Sequence, residues 1–384
     1  MKKISITLMT LSIVSGLGLS MPAFAQAEHN RVNENVAVML PPPKTIEMVF
    51  VLDTTGSMGG LLEGAKTKIW RIVNDVMQNQ KQSGHVQVKV GLVAYRDKGD
   101  DYVTQVTPLS EDLDQVYSKL MAYQAQGGGD TPEDVRSALQ DGLTKAGWTQ
   151  EGRNQNGVSQ ILFLVGDAPP HDDYKNIIST QETARKANGM GIRVNAIQAG
   201  RDASTARVWR EIAQYGGGEY FAIAQNGGVQ AVATPYDDEL AKLGDDVGQG
   251  AVYFGRSEVR AAAAADVSSS RFSISAAPVM AKADRAINKS INSKAYNKQD
   301  VIQAIENKEI SLAAIKTEEL PPEMQTMSLE EREKFVQQKM AQRKATNSKI
   351  ADLAKKRDAY LVEKEKSSDG FDAMVSKALK KQIK

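Results

Sequence analysis

Five consecutive apolar residues, Met48-Val-Phe-Val-Leu52, run directly into Asp-Thr-Thr-Gly-Ser-Met-Gly-Gly at 53–60. The run is rich in strand formers and too short for a helix, which is how a central strand buried on both faces reads. It ends in Asp53, Thr55 and Ser57, three oxygen-bearing side chains at alternate positions, with Gly56, Gly59 and Gly60 between and after them. Glycine lets the backbone turn tightly, so alternate side chains of such a loop can converge on one point. From Gly60 the pattern changes to Leu62, Ala65, Ile69, Ile72, Val73 and Val76, the 3–4 spacing of a helix. Strand, oxygen-rich turn and helix together predict a site for a hard cation or an anion at the carboxyl end of a strand. Taken alone, Thr55 or Ser57 could instead simply cap the helix.

The alternation of strand and helix continues along the chain. Strands are expected at Val86–Ala94, at Tyr102–Val106 as a short returning edge strand, at Gln160–Gly166, at Arg193–Ala199 and at Glu219–Ala224. Helices are expected at about 60–77, 111–124, from Pro132 to about Ala146, and at about 174–188, 204–215 and 236–247. This is an α/β pattern, a doubly wound and mostly parallel six-stranded sheet with one antiparallel edge strand. Counting strand directions brings Asp53, the Gly127–Thr131 loop and Asp167 to the same end of the sheet. In open α/β sheets that end carries the ligand crevice.

Asp53-Thr-Thr55-Gly-Ser57, then Thr131 in Gly-Gly-Asp-Thr-Pro, then an apolar strand closing on Asp167, resembles a von Willebrand factor type A domain. The resemblance covers about 45–250. It implies a metal ion-dependent adhesion site made by Asp53, Thr55, Ser57, Thr131 and Asp167, with Thr55 standing where the family pattern has Ser. Hydroxyls and carboxylates are hard ligands suited to Mg²⁺, or to Mn²⁺ or Ca²⁺. The family pattern leaves a coordination position for water or for a partner protein's Asp or Glu. Thr131 also has a rival role as a helix N-cap. Ala94-Tyr-Arg-Asp97 and Asp167-Ala-Pro-Pro-His171 look closer to bacterial members, and to type A domains linked to atypical kinases, than to integrins. Asp97 and Asp100 could bind a second cation or merely form a turn, and His171 could touch a ligand or lie in a solvated loop.

Other chemistries fit poorly. The Asp-Thr-Gly of aspartic proteases needs a closer spacing and a second copy, and the phosphorylated Asp of ion-pumping ATPases needs membrane helices. A metal-dependent hydrolase or phosphotransferase using Asp53 is the alternative reading, but no histidine is placed to activate a nucleophile. Formal net charge is +1, so nothing points to nucleic acid.

Met1-Lys-Lys, an apolar run to about Pro22, and Ala23-Phe-Ala25 read as a secretory signal over 1–25. Cleavage before Gln26 would leave no membrane span, and the lack of cysteine means no disulfides. A periplasmic protein is expected. Residues 26–45 read as an extended leader, 46–255 as the type A domain, and 256–299 as a low-complexity Ala/Ser linker. The last section, 300–384, reads as a helical charged extension, with Ser328-Leu-Glu-Glu331 a capping box opening a helix to about Lys364. Arg343, Asn347 and Arg357 interrupt its apolar seam, which favours a hairpin against the domain over a coiled coil. That extension is expected to be removable.

Overall fold

Strand β1 (Lys44–Asp53) lies at the centre of the molecule with its last eight residues buried. The computed structural model describes residues 44–81, 86–150, 157–223, 233–292, 294–364 and 370–383. The signal segment 1–25 and most of the 26–45 leader therefore lie outside the described residues, as does Ala224. After β1 a 3₁₀ turn at Gly56–Gly60 leads into α1 (Leu62–Lys81), then β2 (Val86–Tyr95), β3 (Thr104–Ser110), α2 (Leu113–Ala122) and α3 (Val135–Thr144). There follow β4 (Val158–Gly166), α4 (Thr180–Gly189), β5 (Ile192–Ala199), α5 (Ala203–Tyr215), β6 (Gly217–Ile223) and α6 (Asp237–Gln249).

The six strands are ordered β3-β2-β1-β4-β5-β6. Every pairing is parallel except that of β2 with β3, so the expected sheet and its antiparallel edge are both present. The chain winds outward in both directions from β1, which makes the gap between the ends of β1 and β4 the switch point of the sheet. One face is covered by α1 and α2, the other by α3, α4 and α5. Phe50 of β1 and Phe163 of β4 stack 4.9 Å apart on the first of these faces.

Two helices begin later than their sequence suggests. Helix α3 was expected to open with Pro132 at its first position; it opens at Val135, with Asp134 as the cap accepting from Ser137 N at 2.9 Å. Helix α4 was expected from about 174 but starts at Thr180 under Ser179. The carbonyls of Tyr174 and Ile177 instead accept from Arg136, which holds that stretch as a loop. Thr131→Ala is therefore expected to leave the melting temperature unchanged. Asp134→Ala should lower stability by about 1 kcal/mol or more through the lost cap, read by thermal melting of the two variants.

The largest correction concerns 256–299. This segment is not a linker but mostly helix: α7 (Ser257–Ser275) and α8 (Val279–Ile291). Alanine is the best helix former, and its small side chain lets helices approach closely. In α8, Ala281, Ala283, Ala286 and Ile287 are all buried, and α8 packs on α1 and α6. Beyond it come α9 (Val301–Glu306), α10 (Pro322–Gln325), α11 (Leu329–Lys364) and α12 (Phe371–Gln382). The predicted capping box is present, with Glu331 N donating to Ser328 Oγ and Ser328 N to Glu331 Oε2.

Helix α12 completes the first face of the sheet. Val375, Ala378 and Leu379 join the core formed by α1 and β1, and Phe371 meets Phe221 of β6 edge-on at 6.0 Å. Asp372 anchors the helix to α1, accepting from Lys68 Nζ at 2.7 Å and from Arg71 Nη1 at 2.6 Å. Burial pushes its carboxyl up, but Arg71 and Lys68 outweigh burial and hold it below 3.8. A depressed carboxylate stabilises the fold above its unfolded pKa, and that contribution is lost as pH falls through the folded value. Below about pH 4, α12 should lose amide-exchange protection before β1 does. Simultaneous loss at both would refute a separate anchor.

Candidate functional site

Asp53 is the last residue of β1, fully buried at the switch point. Its Oδ1 accepts from Thr55 N at 2.9 Å and from Thr55 Oγ1 at 2.6 Å. Thr55 makes no cap bond to the following turn; its hydroxyl lies 3.0 Å from Ser57 Oγ instead. Ser57 Oγ in turn donates to Asp167 Oδ1 at 3.0 Å, just beyond the end of β4. Two loops separated by more than a hundred residues thus bring Asp53, Thr55, Ser57 and Asp167 into one chain of contacts. Capping is not what these hydroxyls do.

The third loop is pressed against the first. Gly56 N donates to Gly127 O at 2.9 Å, and a Cβ on Gly56 would lie 2.8 Å from that oxygen, so the approach requires glycine. Gly127 and Gly128 both adopt positive φ, and Gly128 N donates to the Asp100 carboxylate at 2.9 Å. Asp100 therefore braces the loop. Thr131 lies on this loop and is exposed. Among the described residues no hydrogen bond joins its hydroxyl to the other four.

Glu133 is a member of the site that the sequence reading missed. It is 2% exposed and lies beside Thr55. Burial, then the charges of Asp53 and Asp97, push its carboxyl up to about 8. The only signal in the sequence is its place two residues after Thr131, where it reads as an ordinary first-turn acid of a helix. The loop is stitched to the segment after β4: Glu133 N donates to Pro169 O at 3.0 Å and His171 N to Glu133 O at 3.1 Å.

The electrostatics of this end of the sheet are one-sided. Burial pushes Asp53 up to about 7, against the hydrogen bonds from Thr55, and the Asp167 charge adds to the rise. Asp167 is raised as well, chiefly by burial. Asp53 Oδ2 is buried without a hydrogen bond of good geometry, as is the neighbouring Tyr95 hydroxyl. Asp53, Asp167 and Glu133 bring carboxyls and Thr55 and Ser57 bring hydroxyls to this end of the sheet, and no cationic side chain is bonded to any of them among the described residues. An all-oxygen donor set with an orphaned buried carboxylate oxygen fits a hard divalent cation.

A family model described as von Willebrand factor A domain matches residues 47–235. That stretch, close to half of the chain, is thus similar to a von Willebrand factor A domain. Within it, 126 residues are 40% identical to von Willebrand factor A domain-containing protein 7 of Rattus norvegicus, covering 33% of this chain and 12% of that protein. A putative ariadne-like RING finger protein of Acanthamoeba polyphaga mimivirus is 28% identical over 131 residues, covering 33% of this chain and 11% of its own. The chain thus spans about a tenth of the length of these relatives. Among solved structures, the conserved hypothetical protein BatB from Bacteroides thetaiotaomicron aligns with TM-score 0.34 and 19% identity over 47% of this chain and 90% of that one. The VWA domain of SpRpn10 aligns with TM-score 0.35 and 15% identity over 48% and 89%. VWA domains generally mediate protein interactions. Among the described residues no helix is long and apolar enough to cross a membrane.

Proposed function

We propose that this VWA domain binds a protein partner through a divalent cation, Mg²⁺ by preference and Mn²⁺ or Ca²⁺ in its place, held by Asp53, Thr55, Ser57 and Asp167. Thr131 joins them from the exposed loop, and an Asp or Glu of the partner takes the remaining position. The role is adhesion or scaffolding, in the periplasm after removal of 1–25. The observation that carries this reading is Asp53: a fully buried carboxyl with one oxygen orphaned, facing Asp167 and Glu133 rather than any cationic side chain. Such a group is costly to ionise unless a cation neutralises it. The two hydroxyls supply neutral oxygens, so a divalent ion keeps enough charge to attract an outside carboxylate.

The test is calorimetric titration of Mg²⁺ into the full chain after treatment with chelator, with partner capture from periplasmic extract run in Mg²⁺ and in chelator. Uptake of Mg²⁺ at or below about millimolar concentration is expected. Ser57→Ala should weaken uptake at least tenfold, about 1.4 kcal/mol, with little change in melting, because Ser57 is exposed. Wild-type protein that takes up no divalent ion at that concentration, or captures the same partners in chelator, would sink the reading.

A further inference from the structure

Beside the Asp53 site lies a second group of ligating atoms made by different residues. Asp97 in the loop after β2, Asp130 in the glycine loop and His171 after β4 each present one ligand atom, and these atoms lie within 4.8 Å of one another. His171 is 9% exposed, so it does not lie in a solvated loop. Its ring stacks on Tyr174 with centroids 4.2 Å apart, and the Tyr174 hydroxyl donates to Asp97 Oδ1 at 2.8 Å. One tyrosine thus fixes both the imidazole plane and the carboxylate.

The nitrogens of His171 are used unequally. Nδ1 lies 2.8 Å from Asp173 Oδ1. Nε2 is buried, has no hydrogen-bond partner, and sits 3.3 Å from Asp97 Oδ2. A proton on Nδ1, where Asp173 accepts it, leaves a lone pair on Nε2 facing a carboxylate oxygen. In that tautomer two electron-rich atoms face each other at 3.3 Å, a repulsion that a cation between them relieves, as a second proton on the ring would. The arrangement matches the carboxylate–histidine–metal relay, in which the outer carboxylate fixes the tautomer and raises ligand basicity. Bonds of about 2.0–2.2 Å to nitrogen and oxygen separate neighbouring ligand atoms by about 3.0–3.6 Å, which brackets the Asp97–His171 distance. Asp100 is not part of this group, because its carboxylate is occupied by Gly128 N and Asp97 N.

We propose that Asp97, Asp130 and His171 form a second cation site that takes a divalent transition ion such as Zn²⁺. One imidazole and two carboxylates make a borderline donor set, softer than the all-oxygen set around Asp53, so the two sites select different ions. Asp97 and His171 hold the ion from the buried side, and Asp130 closes from the exposed side, where further positions face solvent. Glu133 feels the charges of both Asp53 and Asp97, so it lies electrostatically between the two sites.

The test uses the full chain with excess Mg²⁺ to occupy the hard-ion site, and titrates Co²⁺ while following its visible d–d absorption. One Co²⁺ per chain is expected, lost in His171→Gln and unaffected in Ser57→Ala. Asp173→Asn should weaken it about 10–100-fold by freeing the ring. Asp130→Asn, on an exposed side chain that cannot unfold the domain, should weaken it at least about tenfold with unchanged melting, and it decides the matter if His171→Gln is unstable. No uptake beside Mg²⁺ would overturn the site and leave His171 and Asp97 as a plain charge pair. Absorption retained in both His171→Gln and Asp130→Asn, or lost in Ser57→Ala, would overturn it equally, the latter by placing Co²⁺ among the Asp53 ligands. Failure of Mg²⁺ uptake alone would leave this second site standing.

Discussion

Asp53→Asn should abolish Mg²⁺ uptake and, in the metal-free protein at pH 8, raise stability on the order of 2 kcal/mol. Asparagine keeps the oxygen that accepts from Thr55 N and Thr55 Oγ1, so the loop keeps its shape. It removes the charge that burial makes expensive. The sign follows from the direction of the shift. The folded-state carboxyl is raised from 3.8 to about 7, so the fold favours the protonated form. The stability this gives is full below the unfolded pKa and is lost as pH rises through the folded one. Metal-free wild type should therefore melt lower at pH 8 than at pH 5 by more than the variant does, and Mg²⁺ should restore the wild type alone. Melting curves of both proteins at the two pH values, with chelator and with Mg²⁺, measure it. A variant that melts below metal-free wild type at pH 8 would show that Asp53 is structural rather than a destabilising ligand. Alanine is the poorer probe, because Asp53 is buried at the strand end rather than exposed in a loop, and Ala would orphan Thr55 N.

The sheet was legible because β1 and β4 are short apolar runs, β2 alternates, and parallel strands need helical crossovers, whereas the mostly polar β3 runs to Ser110, four residues beyond its expected end. Direction counting alone brought Asp53 and Asp167 to one end, and the structure joins them through Thr55 and Ser57. What local pattern could not show was tertiary bonding that overrides it. The stretch 131–134 reads as a helix start, yet Glu133 exchanges backbone bonds with Pro169 and His171, which keeps it extended and carries Glu133 into the site. The Ala/Ser stretch after 256 reads as low complexity because α7 buries only Ala263 and Ile274, and because α8 buries Asp284, Arg285, Asn288 and Lys289 beside its alanines. Arg343 and Arg357 read as breaks in an apolar seam. Each is instead the partner of buried acids far away in sequence: Arg343 pairs with Asp300 at 2.9 and 3.1 Å, and Arg357 with Asp237 and Asp284, both at 2.7 Å. Buried charge in a helix seam can be read only when its partner is known.

Those pairs bear on whether the VWA domain can be cut free, and a fragment ending at residue 256 is expected not to fold. Removing 257–384 strips α8 from α1 and α6 and α12 from the β5–β6 end of the sheet face. It also strands Asn74, which is buried and bonded to Asp284 O and Asn288, and Asp237, which loses Arg357. Near-UV circular dichroism and dye binding should show a molten or insoluble product, whereas a cooperatively melting fragment would restore the separable domain that the sequence suggested. Arg357→Leu is the graded form of the same experiment. Burial pushes Asp284 up more than Arg357 and Arg71 pull it down, and Asp284 Oδ2 and Arg357 Nη2 have no hydrogen-bond partner, so the junction is tight but imperfectly satisfied. Removing the cation from such a junction leaves two uncompensated buried carboxylates and should cost about 3–5 kcal/mol. Replacing all three residues together, Arg357→Leu with Asp237→Asn and Asp284→Asn, should recover most of that loss, because the desolvation cost disappears with the charges. Denaturant unfolding of the single and triple variants separates the two terms. A single variant within about 1 kcal/mol of wild type would mean that the charges are not holding α11 to the domain.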